Sequence, residues 1–208
     1  MRLKSLRIDP MLRFLRGKFS KIKDKRASNS SVSQTDALLS GFAVFSMKDP
    51  SLLYFDNKRT ERKENLKNVY HINQAPSDSG MRDILDKIAW QSINRIFKSV
   101  VDRMRKANLW KDYEYYRGYM LCSIDGTQHY SSECVGCENY LTVTKSNGVK
   151  EYRHALLSGA IVHPDKHEVM PVIHEPIVQQ DGQEKNDCER NASKRLLPRL
   201  RKLFPKKK

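Results

Sequence analysis

Asp125 follows the apolar run Tyr119–Ile124 and precedes Gly126, within the stretch SIDGTQHYSSECVGCENY at residues 123–140. The residue types allow three kinds of role. Asp-Gly is a favoured two-residue hairpin turn. A carboxylate at the end of a rigid, buried strand is a hard oxygen ligand for Mg²⁺, which takes one or two carboxylates. Cys134 and Cys137 have the Cys-x-x-Cys spacing of half a tetrahedral zinc site. No second such pair exists, so the other ligands would come from His129, His154, His163 or Cys188. A thioredoxin-like redox role does not fit, because the Cys pair does not open a helix after a strand.

A third group lies in DGQEKNDCERNASKR, residues 181–195. Asp187 and Glu189 fall at the start of a helical pattern, where acids complement the helix dipole. Arg190, Lys194 and Arg195 follow on exposed faces of the same helix, where they are candidates to guide a DNA backbone. As a solvated basic face they would need no function. Spacing alone leaves open whether Glu189 turns toward Asp125. The chain has no Walker loop, Rossmann glycine fingerprint, nucleophile elbow or His-Glu-x-x-His motif, so nucleotide-driven and common hydrolase chemistries lack support.

The elements that must position these residues change character along the chain. RASNSSVSQT (26–35) is small and polar and reads as a linker after a basic start. Thr35 or Asp36 is expected to cap a helix whose Leu38, Leu39, Phe42 and Phe45 recur at helical spacing. Asp49-Pro50 is expected to open the next helix, with Asp as N-cap and Pro at the first helical position. A serine of QAPSDSG caps a further pattern from Met81 to Lys106, one helix or two joined near Trp90. Near residue 112 β-forming residues take over. Residues 119–124 read as a short strand buried on both faces. Asn147-Gly148 marks a hairpin, and residues 156–162 and 168–173 form an antiparallel pair around HPDKH. A last helix carries Cys188, Ala192, Leu196 and Leu200 on one face, with Pro198 expected to kink or split it. The expected organisation is a basic arm and linker (1–34), a helical domain (35–112) whose basic faces suit DNA contact or plain scaffold, and a mixed domain (113–208) of antiparallel strands followed by a helix.

The 208 residues carry a formal charge of +15, which points to phosphate backbones or anionic surfaces as partners. The first 26 residues hold ten Lys or Arg against two Asp. No apolar run approaches the roughly 20 residues needed to span a membrane. The amphipathic start has charges within its apolar part and no small-residue cleavage site, unlike a secretory signal. The expectation is therefore no membrane partner, with reduced thiols or metal ligands rather than disulfides.

Taken in order, DALLSGFAVFSMKDPSLLYFD, NLKNVYHINQAPSDSGMRDILDKI, GYMLCSIDGTQHYSSECVGCENYL, YRHALLSGAIVHPDKHEVMPVIHEPI and QQDGQEKNDCERNASKRLL resemble the N-terminal half of bacterial insertion-sequence transposases with an Asp-Asp-Glu triad. The resemblance spans about residues 36–205. It implies an α+β or α/β chain with an N-terminal all-helical domain followed by an incomplete ribonuclease-H-like core. It implies DNA cleavage and strand transfer with Mg²⁺ or Mn²⁺, on transposon ends and target DNA, in the cytoplasm on the nucleoid. Asp125 matches the first carboxylate, and residues 186–204 match the helix after the third strand. The second Asp and the Glu have no counterpart in the chain, which ends where the next strand would begin. The expectation is thus a truncated form that does not cleave DNA alone, leaves an open sheet edge, and could associate with intact transposase. The alternative is a non-enzymatic protein that occupies transposon ends, with a structural zinc at Cys134 and Cys137.

Overall fold

The computed structural model describes residues 4, 6–27, 30–135, 140–179 and 187–205. These form a mixed fold of helices and antiparallel sheet in two compact units, Met1–Ile96 and Phe97–Lys208. The first unit contains α1 (Ile8–Phe19), α2 (Gln34–Ser46), α3 (Leu52–Arg59), α4 (Lys63–Asn68), α5 (Asp78–Leu85) and the opening turns of α6 (Trp90–Lys106). Part of the basic start is therefore an ordered helix, with Leu12 and Phe19 of α1 buried.

In α2, Ala37, Leu38, Leu39, Ser40, Ala43 and Val44 are buried, as expected of a helix surrounded by others. Its cap is Ser33, whose Oγ accepts from the Asp36 N–H at 3.0 Å, not Thr35 or Asp36. Asp36 is itself buried, and its carboxylate accepts from Arg16 and from the backbone N–H groups of Asn73 and Gln74. The helix after Pro50 also begins later than expected. Ser51 caps α3 through the Tyr54 N–H, and Asp49 instead receives both Arg62 contacts, at 2.8 and 2.9 Å. The Asp49 side chain is only 3% exposed, so a buried ion pair competes successfully with capping. Ser77 caps α5 through the Gly80 N–H, and the helical pattern from Met81 onward resolves into two helices, α5 and α6. Phe55, Leu39, Ile72 and Met81 form the centre of this unit's core.

The second unit continues α6 into a 3₁₀ turn (Leu109–Tyr113), then β1 (Glu114–Tyr116), β2 (Tyr119–Ser132), β3 (Leu141–Thr144), β4 (Lys150–Val162), β5 (Met170–Ile177) and α7 (Glu189–Leu203). The change of composition near residue 112 coincides with the passage from helix to strand, whereas the compact units divide within α6. Every strand pairing among the described residues is antiparallel. One side of β4 pairs with β2; the other pairs first with β3 and then with β5. Arg117 and Gly118, at φ 50° and 81°, join β1 to β2 in a two-residue turn, both left-handed as such hairpins require. Gly148, at φ 80°, turns β3 into β4 as the Asn-Gly pair predicts.

The strand expected to end at Ile124 runs on to Ser132, paired with β4 from Leu121 onward. It is not buried on both faces: Leu121 is 39% exposed and Ile124 36% exposed. Its second edge is paired only at Tyr119 and Met120, by β1, among the described residues. Helix α7 buries Ala192, Leu196 and Leu203, and it runs through Pro198 without splitting. Close packing at Gly159 serves this layer, since a Cβ there would lie 2.9 Å from Ile173 Cγ2 and 3.8 Å from Leu196 Cδ2.

Candidate active site around Asp125

Asp125 and Gly126 lie in mid-strand, opposite Ser158 and Leu157 of β4. They form no turn, because the chain keeps its register with β4 through both residues. Alternation along β2 sends their side chains to opposite faces. On one face, Asp125, Ser158 and His174 stand in a row across β2, β4 and β5. Ser158 Oγ and His174 Nδ1 are 2.7 Å apart, and Phe97 meets the imidazole edge-on at 4.7 Å. Burial lowers the His174 pKa, favouring a neutral imidazole. Asp125 is exposed, and one of its oxygens accepts from the Gly126 N–H at 2.9 Å.

On the other face, Glu189 from the first turn of α7 lies against Gly126. A Cβ at 126 would fall 2.0 Å from Glu189 Oε1, so only glycine leaves room for the carboxyl group in this position. Two carboxylates thus reach neighbouring positions of β2, one from the strand and one from the helix. No group of three or more His, Cys, Asp or Glu that could hold a metal ion occurs among the described residues. Here β2 has no strand on its second side among the described residues. Asp125 and Glu189 are two hard oxygen donors at neighbouring positions of β2, on opposite faces of the strand. They do not supply the carboxylate set for a two-ion centre.

The basic residues of α7 divide into two kinds. Arg190 and Lys194 are exposed and one turn apart. Arg195 is exposed as well, but it is engaged by the protein's own carboxylates. It donates to Glu175 at 2.7 Å and Asp187 at 2.6 Å, and Arg199 also donates to Glu175. The side chains of Glu175 and Asp187 are 7% and 1% exposed. Hydrogen bonds to Glu175 and then Asp187 raise the Arg195 pKa, which fixes its charge. Asp187 precedes the helix instead of entering its first turn, and its carboxylate also accepts from the Cys188 N–H.

Cys134 is exposed just past β2, with its N–H donating to Ser132 Oγ, and Cys137 lies outside the described residues. Of the other candidate zinc ligands, His129 and His154 stack with ring centroids 5.8 Å apart. His163 packs instead against Tyr115, and Cys188 flanks α7. Burial, and then the neighbouring His129, lower the His154 pKa. Ser158 and His174 are the partners of Asp125 that sequence reasoning missed. Only the β2–β4–β5 register brings them together. Comparison of the chain with known protein families, curated proteins and solved structures finds no match.

Proposed function

We propose that this protein acts on DNA as an insertion-sequence transposase does, with Asp125 as a metal-binding carboxylate of a phosphodiester site. The observation that carries this reading is Asp125 on β2, which neighbours β4 and then β5 in an antiparallel sheet, followed in the chain by α7. That order is the one expected of the front of a ribonuclease-H-like core. Glu189, lying over Gly126, offers a second carboxylate beside the same stretch of strand. Asp125 and Glu189 would hold one Mg²⁺ or Mn²⁺, which would neutralise phosphate oxygens and acidify a bound water. Arg190 and Lys194 orient the DNA backbone, and Arg195 positions α7. His174, held by Ser158, stands two strands from Asp125 in the same row and can accept or pass a proton there.

With two carboxylates at the site, this chain binds DNA and does not cleave it alone. DNA transposon ends and an intact transposase are the partners of this reading, and the bacterial nucleoid is its place of action. A non-enzymatic DNA-binding role is the second reading, favoured by the +15 charge and the exposed Arg190 and Lys194. Zinc at Cys134 and Cys137 belongs to that second reading.

The test pairs DNA binding with Mn²⁺ titration of the full chain in the presence of duplex DNA. Saturable Mn²⁺ binding that is weakened at least tenfold by Asp125→Asn, with no nicking of supercoiled plasmid, supports the first reading. Salt-dependent DNA binding with Mn²⁺ affinity unchanged in Asp125→Asn leaves only the second. Robust metal-dependent cleavage by the chain alone overturns the two-carboxylate argument.

A further inference from the structure

The helical unit has two clefts that share one residue, the larger of mixed lining and the smaller including apolar Leu66, Ile72 and Ala75. The larger, about 970 Å³, lies between Arg13, Arg16 and Ser20 of α1 and Lys67 and Asn68 of α4. The smaller, about 230 Å³, is lined by Arg59, Lys63 and Gln74. Asn73 borders both. Lys63 and Lys67 are four residues apart on one side of α4, so each cleft receives one ammonium group from the same helix face.

The walls are built before any ligand arrives. Arg16 is fixed by Asp36, at 2.9 Å, and by the carbonyl of His71. That carbonyl is set by a left-handed backbone at His71, φ 58°, an uncommon conformation for a residue other than glycine. Asp36 is the acid lining the larger cleft, and it is buried with its oxygens occupied by Arg16 and two backbone N–H groups. Asp9 reaches Arg13 and His71 from α1 and offsets part of the charge. Arg59 is held by Asp56 and by the carbonyl of Ala75. Lys63 and Lys67 have no ion pair among the described residues. The larger cleft offers a ligand cationic, amide and hydroxyl donors, and the smaller adds Arg59, Lys63 and Gln74 beside apolar Leu66, Ile72 and Ala75.

We propose that the two clefts form one track that binds consecutive phosphates of a duplex DNA backbone, Lys67 serving one cleft and Lys63 the other. This rests on the DNA-acting function proposed above and deepens it by locating a sequence-independent contact on the helical unit. A single phosphate would use one cleft, whereas adjoining clefts with a shared Asn73 suit a continuous strand. An anionic membrane is a poorer fit, because Leu12 and Phe19 of the basic helix α1 are buried in the unit's own packing.

Fluorescence anisotropy of the full chain with a labelled 20-base-pair duplex, between 50 and 200 mM KCl, tests the track. The Lys63→Ala/Lys67→Ala variant is expected to bind about tenfold more weakly at 100 mM KCl. Its slope of log K against log salt should be shallower by about 2, near 0.9 for each phosphate no longer neutralised. Lys25→Ala/Lys87→Ala removes equal charge from exposed positions outside the clefts and should change affinity less than threefold. If the wild-type chain binds the duplex but the cleft variant behaves like this control, the track is wrong while the DNA function stands. If the wild type shows no salt-dependent duplex binding, the DNA function and the track both fall. Displacement of the duplex by 10 mM inorganic phosphate, or equal cleft-dependent binding to anionic lipid vesicles, would overturn the assignment to a DNA backbone.

Discussion

Ser40 and His174 show how single buried groups set this protein's response to substitution and to pH. The hydroxyl of Ser40, fully buried in α2, has no hydrogen-bond partner among the described residues. An unmatched buried hydroxyl costs more than it contributes, and alanine also favours helix. Ser40→Ala is therefore expected to stabilise the helical unit by about 1 kcal/mol, read as a higher denaturant midpoint at unchanged slope. His174 has a folded pKa lowered by burial, as has His154. Unfolded histidine titrates near pH 6.5, so below that value the unfolded chain takes up protons that the folded chain resists. Stability should thus fall as pH drops from about 6.5 toward 5. Carboxylates such as Asp56, held low chiefly by the Asp78 N–H, add their loss only at more acid pH. Equal unfolding free energies at pH 7 and pH 5.5 would contradict the histidine assignment.

At the scale of elements, α7 is tied to β5 by charge as well as by its apolar face. Arg195 bridges Glu175 and Asp187, and its removal leaves both carboxylates buried with fewer partners. Arg195→Ala is expected to destabilise the second unit by about 1–3 kcal/mol, since two buried carboxylates lose a charged donor. Arg190→Ala, on the exposed side of the same helix, should leave the unfolding midpoint within about 0.5 kcal/mol of wild type. In the helical unit, Phe55→Ala empties the centre of the core and should cost about 3–5 kcal/mol.

The hairpins β1–β2 and β3–β4 are of a different kind, because their turns are local. Asn147-Gly148 is visible in sequence since glycine adopts the positive φ the turn needs. Arg117-Gly118 makes a tighter two-residue turn, with both residues left-handed, from a weaker signal, so β1 does not stand out in the sequence. The extension of β2 past Asp125 could not be read locally. The segment TQHYSS has no clean alternation, and pairing with β4, interrupted by the register shift between Gln128 and Tyr130, is what keeps it extended.

For the whole molecule, the open stretch of β2 is the main hazard. From Leu121 to Ser132 its second edge has no strand partner among the described residues, and Leu121, Ile124 and Tyr130 are partly exposed along it. Unpaired backbone groups on a long edge invite pairing with another chain. Concentration-dependent association is expected by light scattering, and Thr127→Lys, at an exposed position of the strand, should reduce it. Association unaffected by that charge would place the contact elsewhere. No helix among the described residues is long and apolar enough to cross a membrane.

The sequence by itself determined the helical character of the stretch after the linker, the Asn147-Gly148 hairpin, the antiparallel pair β4–β5, the final helix and the basic character of the chain. These follow from short-range signals: caps, turn residues, periodicity and charge. It also singled out Asp125, but left it a choice among turn, ligand and neighbour of a zinc site. Only the tertiary structure decided that Asp125 sits in mid-strand, in a row with Ser158 and His174 and with Glu189 against the next residue. It also paired the exposed Arg195 with the buried carboxylates of Glu175 and Asp187. Those outcomes depend on strand register and on a helix docking across a sheet, where residues tens of positions apart meet, and no local pattern encodes which carboxylate an arginine will find.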